Sequence, residues 1–423
     1  MFRDERARDQ VTAAENWEGV VAHRSATMLA TKTKASATIW HGPANTRERV
    51  RRTQASAMRR AVVRFSEENT KEARERVVSD SLAYKGTLGN GFTLHSPMVA
   101  VALERLGASA SAIEGQAAYA KEKNARYELI PIEAVPSSDL VINETNWRER
   151  CNSGGDGEMA FRVFWTDQIQ RRGSDAAIKL CLGELSDGIH SRLHHGVIRL
   201  AYAVQGGHEA ELAAALAAFC ANYAALPLAE SPKAPPHGDL MRAMGEISSG
   251  REELLGTSGP PRPEGMGKKY SRNLSDPALR SRLSGASGLS SEDGIEAFVR
   301  LTVLLYLTKP NILTLHMMTG LHALIVLEEF YDKREDFERS LLVHWHSVLA
   351  LYLAIKAPRV IASAEEVAPA IQRKETSWET LVHQVTSQVK GDHDIKLVDT
   401  AVDLSSRFPS LEHELRLAAS TVM

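Results

Sequence analysis

Three cysteines, Cys151, Cys181 and Cys220, are all that a chain of 423 residues carries. They are too few and too scattered for a disulfide framework or a structural zinc knuckle, so a reducing compartment is expected. Charge of either sign is not in excess: 51 basic against 53 acidic side chains leave a formal charge of −2, with no general reason to expect nucleic acid or an anionic membrane as partner. A phosphate cradle is missing as well. The cluster Gly86-Thr87-Leu88-Gly89-Asn90-Gly91 reads as a turn before an apolar segment and lacks the strand-turn-helix setting of a dinucleotide fingerprint. That argues against a self-contained flavin enzyme and leaves NADPH open as an external reductant. The start, Met1-Phe2-Arg3-Asp4-Glu5-Arg6, has no apolar signal region, and no uncharged apolar run of about 18 residues is found, so a cytoplasmic protein without a membrane span is expected.

What is present is ample core and helical periodicity. Hydrophobic residues make up 43% and charged residues 25%, as in globular proteins generally. Apolar spacing predicts helices around Phe161–Arg171, Ser174–Leu185, Glu209–Leu226, Ile295–Leu307, Thr314–Phe330 and Ser340–Ile355, and another around His393, with Pro310 as a break. Pro97 suits a first helical turn and Gly107 its end. No alternating strand pattern and no repeat stands out, so the expected fold is all-α, a single compact multi-helix domain. The organisation expected is an N-terminal helical or irregular region over 1–90 packed on the core, then a catalytic domain over 91–423. Within the latter, 227–292 is rich in Pro, Gly and Ser and reads as a lid or loop. The arginine-rich stretch from Arg47 to Arg76 is interleaved with Glu67, Glu68, Glu72 and Glu75, the mark of a solvated helix face.

The most informative run is Leu193-His194-His195-Gly196-Val197-Ile198-Arg199-Leu200-Ala201-Tyr202-Ala203. Leu193, Val197, Leu200 and Val204 define a buried helix face, and His195, Arg199 and Tyr202 form a second stripe at i, i+4 and i+7. Buried polar groups without partners cost roughly 1–3 kcal/mol each, so this stripe should face a polar cavity, a metal or a ligand. Arg199 and Tyr202 are candidates to hold substrate oxygens, with a structural ion pair as the alternative for Arg199. Further histidines lie in apolar surroundings: His316 and His322 in Leu315-His316-Met317-Met318-Thr319-Gly320-Leu321-His322, and His393 with Lys396 one turn on. Helices that each project an imidazole inward can assemble a metal site suited to iron, copper, nickel or zinc, although none of these spacings is a local metal motif.

The segments His195 to Ala203, Leu315 to Leu324 and His393 to Val398, together with His95 and the following Leu106-Gly107-Ala108-Ser109, resemble the questin oxidase-like family, in order over about residues 92–415. The resemblance implies a helical oxygenase that opens the quinone ring of anthraquinone-type polyketides, with non-heme iron(II) held by several histidines and a lysine carboxylated by carbon dioxide. Carried over by position, the ligands are His95, His195, His316 and His393 with Lys396 as the modified lysine, and His322 in reserve. Two departures bear on this: Met98 stands where many relatives have a second histidine, and Lys390 where some have one. The partners implied are a quinone or other aromatic substrate and dioxygen. Two other readings use the same residues. One is a zinc hydrolase or cyclase with the ligands as Lewis-acid holders; the other is a non-enzymatic helical binding protein whose histidines are core residues and in which Lys396 pairs with Asp392 or Asp394.

Overall fold

A computed structural model describes residues 68–132, 140–226, 240–250, 266–276 and 289–423, and apolar periodicity becomes helix throughout them. In chain order the helices are α1 (Glu68–Ser81), α2 (Ser96–Arg105), α3 (Ala110–Ala125), α4 (Glu158–Arg172), α5 (Ser174–Leu185), α6 (His195–Gly206), α7 (Glu209–Ala221) and α8 (Leu240–Ser249). There follow α9 (Met266–Ser275), α10 (Glu292–Thr308), α11 (Ile312–Leu327), α12 (Arg334–Ala354), α13 (Pro369–Gln372), α14 (Trp378–Ser387), α15 (Asp392–Arg407) and α16 (Glu412–Ser420). The described residues contain no strand, only isolated bridges of Tyr84 with Pro131 and Thr87 with Thr93. The all-α expectation holds.

Local chemistry explains most of the boundaries. Ser109, Ser291 and Ser377 each accept from a backbone N–H in the first turn of α3, α10 and α14, satisfying donors that the helix itself leaves open. Pro97 sits in the first turn of α2, and Gly107, at φ +79°, follows its end in the left-handed region that favours glycine. α7 stops at Ala221, short of the expected Leu226: the Leu226 N–H donates instead to the Asp187 carbonyl, which turns the chain away. Within 227–292, α8 and α9 are helical, and α9 is seated on α12 through Tyr270 to the Ser347 hydroxyl and Asn273 to the Ala350 carbonyl. Residues 227–239, 251–265 and 277–288 of that segment, like the arginine-rich stretch before residue 68, lie outside the described residues. In α1 the expected solvated face is seen at Glu72 and Arg76, while Arg74 turns inward to Glu104 at 3.0 Å.

The layout that matters for function is a closed ring of four helices. α2 packs on α6 and on α15, and α11 packs on those same two, so the four enclose a common interior. α10 and α12 cover α11 from behind. Burial on all sides explains the composition of α11, whose continuation Ile312–Phe330 is long and apolar enough to cross a membrane by length and composition, contrary to the expectation that no such run exists. It is 78% buried inside the protein.

α11 begins with a reciprocal cap: Asn311 accepts from the Leu313 and Thr314 amides, and Thr314 accepts from the Asn311 amide. Replacing Asn311 with Ala should lower unfolding free energy by about 1 kcal/mol, read from the urea midpoint at unchanged slope. An unchanged midpoint would mean that packing alone sets the start of α11.

Candidate metal centre

Three of the four expected histidine ligands sit at helix starts. His95 is the residue before α2, His195 the first of α6 and His393 the second of α15, while His316 lies in the second turn of α11. The ring packing brings them together. His95 Nε2 is 3.0 Å from His195 Nε2, and His316 Nε2 is 3.2 Å from the same atom. The His393 ring lies 4.8 Å from that of His95 and 5.3 Å from that of His316, centroid to centroid, and its Nε2 is buried without a hydrogen-bond partner. One ring nitrogen from each of His95, His195 and His393 falls within 4.8 Å of the others, whereas His316 stands outside that group and meets it through His195.

The tautomers follow from the other ring nitrogens. His195 Nδ1–H donates to the Arg192 carbonyl at 2.5 Å and His316 Nδ1–H to the Ile312 carbonyl at 2.6 Å. His95 Nδ1 faces Asp392 Oδ2 at 3.5 Å. Carbonyls accept only, so His195 and His316 must present bare Nε2 lone pairs to one another. The turn that supplies the Arg192 carbonyl is unusual: Arg192, Leu193 and His194 have φ of +54°, +55° and +66°. Side chains in that region cost about 1–2 kcal/mol per residue, a strain the surrounding packing must hold. Part of that packing is the contact of the His194 and His344 rings, 4.6 Å apart, against Gly320 of α11, where a Cβ would lie 2.8 Å from His194 Cγ.

Burial and mutual proximity keep the imidazoles neutral. Desolvation, reinforced by Lys396, holds His95 down at about 4 and His316 at about 3; His195 and His393 are likewise held well below the usual histidine range. Lys396 is itself fully buried, and burial lowers its amine to about 8. Among the described residues no carboxylate forms an ion pair with it. Asp392 is engaged by His95 and, at 3.7 Å, by Lys123.

These residues fit a bound cation. Two nitrogen ligands at right angles on an ion about 2.1 Å from each stand about 3.0 Å apart, which matches the Nε2 separations. Lone pairs at that distance with no proton between them repel, and a metal ion removes the repulsion. Neutral imidazoles suit the first-row transition metals.

Other expected residues are not brought to the cluster. His322 Nε2 bonds Asp403 at 2.9 Å, and the Tyr202 hydroxyl donates to Asp399 at 2.9 Å. Arg105 joins both carboxylates, each at 2.9 Å. This second network therefore ties α2, α6, α11 and α15 together once more, deeper along the ring. Arg199 makes a bidentate pair with Glu211, at 2.7 and 2.9 Å, as the structural alternative anticipated. Its Nη1 is buried with no partner. Sequence reasoning passed over Asp392 as the partner of His95, Lys123 behind it, and the His194–His344 contact. The doublet His194-His195 was the available signal for the last.

Comparison with known families finds that the family described as questin oxidase-like matches residues 92–401, well over half of the chain and the span that holds every residue of the cluster. No curated protein matches it.

The buried neutral histidines fix a pH response of the metal-free protein. The unfolded chain takes up protons near 6.5, whereas folded His95 and His316 do so only near 4 and 3, so the unfolded state holds more protons throughout that window. Stability should therefore fall as pH drops below about 6.5, by up to about 1.4 kcal/mol per pH unit for each group. Denaturation midpoints of wild type and His316→Gln between pH 7 and 4 check this. The variant should show the shallower decline, and parallel declines would contradict the assignment.

Proposed function

Because the chain belongs to the questin oxidase-like family, we propose that it is a non-heme iron oxygenase that inserts oxygen into, or cleaves, a carbon–carbon bond of a quinone or polycyclic aromatic polyketide. The observation that carries this reading is the convergence of imidazole Nε2 atoms at 3.0 and 3.2 Å, with the unpartnered His393 beside them. His95, His195, His316 and His393 would hold the ion, and Lys396 would add an anionic oxygen once carboxylated. Iron(II) in that place would supply electrons to dioxygen, which aromatic side chains and histidines cannot do themselves.

The chain's own part begins with electrostatics. The starts of α2, α6 and α15 aim the positive ends of three helix dipoles at the cluster, a poor setting for a dication held by neutral ligands alone. An anionic ligand offsets that. A buried lysine whose amine is lowered to about 8 has a usable neutral fraction at neutral pH. Its nitrogen lone pair forms a bond to the carbon of carbon dioxide, one N–H proton leaves to solvent, and the side chain ends as a carbamate of charge −1. The Arg192 and Ile312 carbonyls keep the proton of His195 and His316 on Nδ1, so that Nε2 stays available. Asp392 performs the same service for His95.

Elemental analysis of protein prepared without added metal or a histidine tag tests the proposal. About one iron per chain is expected, lost in folded His316→Ala and Lys396→Ala, with oxygen uptake on hydroxylated anthraquinones reduced at least about 100-fold in both. Zinc at that level would replace the oxygenase by a Lewis-acid hydrolase or cyclase. A folded wild type that takes up no metal would leave a binding protein.

A further inference from the structure

A cleft opens beside His195, between the Gly86–Thr93 turn and the start of α6. Thr87, Ser191, Arg192, Gly196 and Arg199 line it together with His195. Its inner space is about 20 Å³, room for one oxygen atom or one water and not for a ring. Three separate donors converge on it. Arg199 is 1% exposed, and its Nη1 is the one nitrogen of that guanidinium which Glu211 leaves without a partner. That atom lies against Gly86, where a Cβ would come within 2.5 Å of it, so only glycine lets the guanidinium end sit there. The start of α6 has no side-chain cap; the His195 amide donates to the Arg192 carbonyl and the Ile198 amide to the His194 carbonyl, which leaves the Gly196 and Val197 amides as the open donors. Arg192 donates to the Gly91 carbonyl and pairs with no carboxylate among the described residues.

The charge balance decides what would bind. Arg199 is matched by Glu211, and Arg162 by Glu158, which also accepts from the Gly86 amide. The four buried charges cancel, which leaves the Arg192 guanidinium and the positive end of α6 as the surplus at the mouth. We propose that this cleft is an oxyanion subsite, in which an ionised carboxylate or phenolate oxygen of an aromatic ligand enters toward Arg199 Nη1 and the α6 amides while its ring remains outside, beside His195. The inference deepens the proposed function by assigning a negative charge to its substrate, and it rests on that reading only for what the ligand is.

Calorimetric titration of the protein as purified with benzoate, 4-nitrophenolate and the neutral benzamide, at pH 8, is the test. At least one anion should bind 10-fold or more tightly than benzamide, and which of the two does so names the acid group. In Arg192→Gln, a change at an exposed side chain that keeps the backbone carbonyl for His195, anion affinity should fall at least fivefold while benzamide binding and iron content stay the same. Arg199→Lys, which retains a charge for Glu211 and removes Nη1, should do likewise. Equal affinity for anions and benzamide, or anion binding unchanged in Arg192→Gln, would overturn the subsite. Loss of anion binding with iron retained would count for the subsite alone, whereas anion binding by a protein without iron would overturn the oxygenase and leave the subsite standing.

Discussion

Two neutral imidazoles whose Nδ1–H groups are tied to backbone carbonyls present lone pairs to each other, and at 3.2 Å they repel in a way that a bound cation would relieve. Much of the surrounding structure serves that arrangement. The left-handed turn at Arg192–His194 exists where the Arg192 carbonyl must reach His195, and Gly320 leaves room for the rings that pack the turn against α11. The four helices that carry the imidazoles close into a ring, so no one of them can shift without moving a ligand.

The ring is fastened at two levels. At one level stand the imidazoles and Lys396; at the other, Arg105, Asp399, Asp403, Tyr202 and His322 join the same four helices through direct hydrogen bonds. At this second level the Arg105 guanidinium is shared by both carboxylates, to which Tyr202 and His322 also donate, so every polar group is engaged and the network can act as a fixed brace. The first level is different: a His393 nitrogen without a partner, a lysine that pairs with no carboxylate among the described residues, and three positive helix ends. Unbalanced polar groups of this kind persist at functional sites, where a ligand completes them.

The difference between the two levels also marks what the amino-acid sequence could reveal. Pro97 and Gly107 marked the ends of α2 because such residues act locally, while the expected starts at Ile295 and Ser340 fell inside α10 and α12, which begin at Glu292 and Arg334; His95, His195, His316 and His393 stood out as polar residues in apolar runs. Periodicity assigns a residue to a face of a helix but not to a depth. Tyr202 shares a face with His195, yet seven residues carry it about 10 Å along the axis, into the brace. His322, six residues after His316, is rotated to another side of α11 and meets Asp403. The pairing of Arg199 with Glu211 joins two helices across a turn, and the left-handed turn before His195 contains no glycine to announce it. Such features depend on tertiary packing, which the local pattern does not encode.

The central claim is that one cation sits where the imidazole nitrogens of His95, His195, His316 and His393 converge beside Lys396. Anomalous diffraction from a crystal of the protein grown without added metal, collected on both sides of the iron absorption edge, addresses it directly. The account predicts a single peak about 2.1 Å from the nearest imidazole nitrogens, present above the edge and absent below it. A clear map with no peak there, or with the Nε2 atoms bridged only by ordered water, would contradict it.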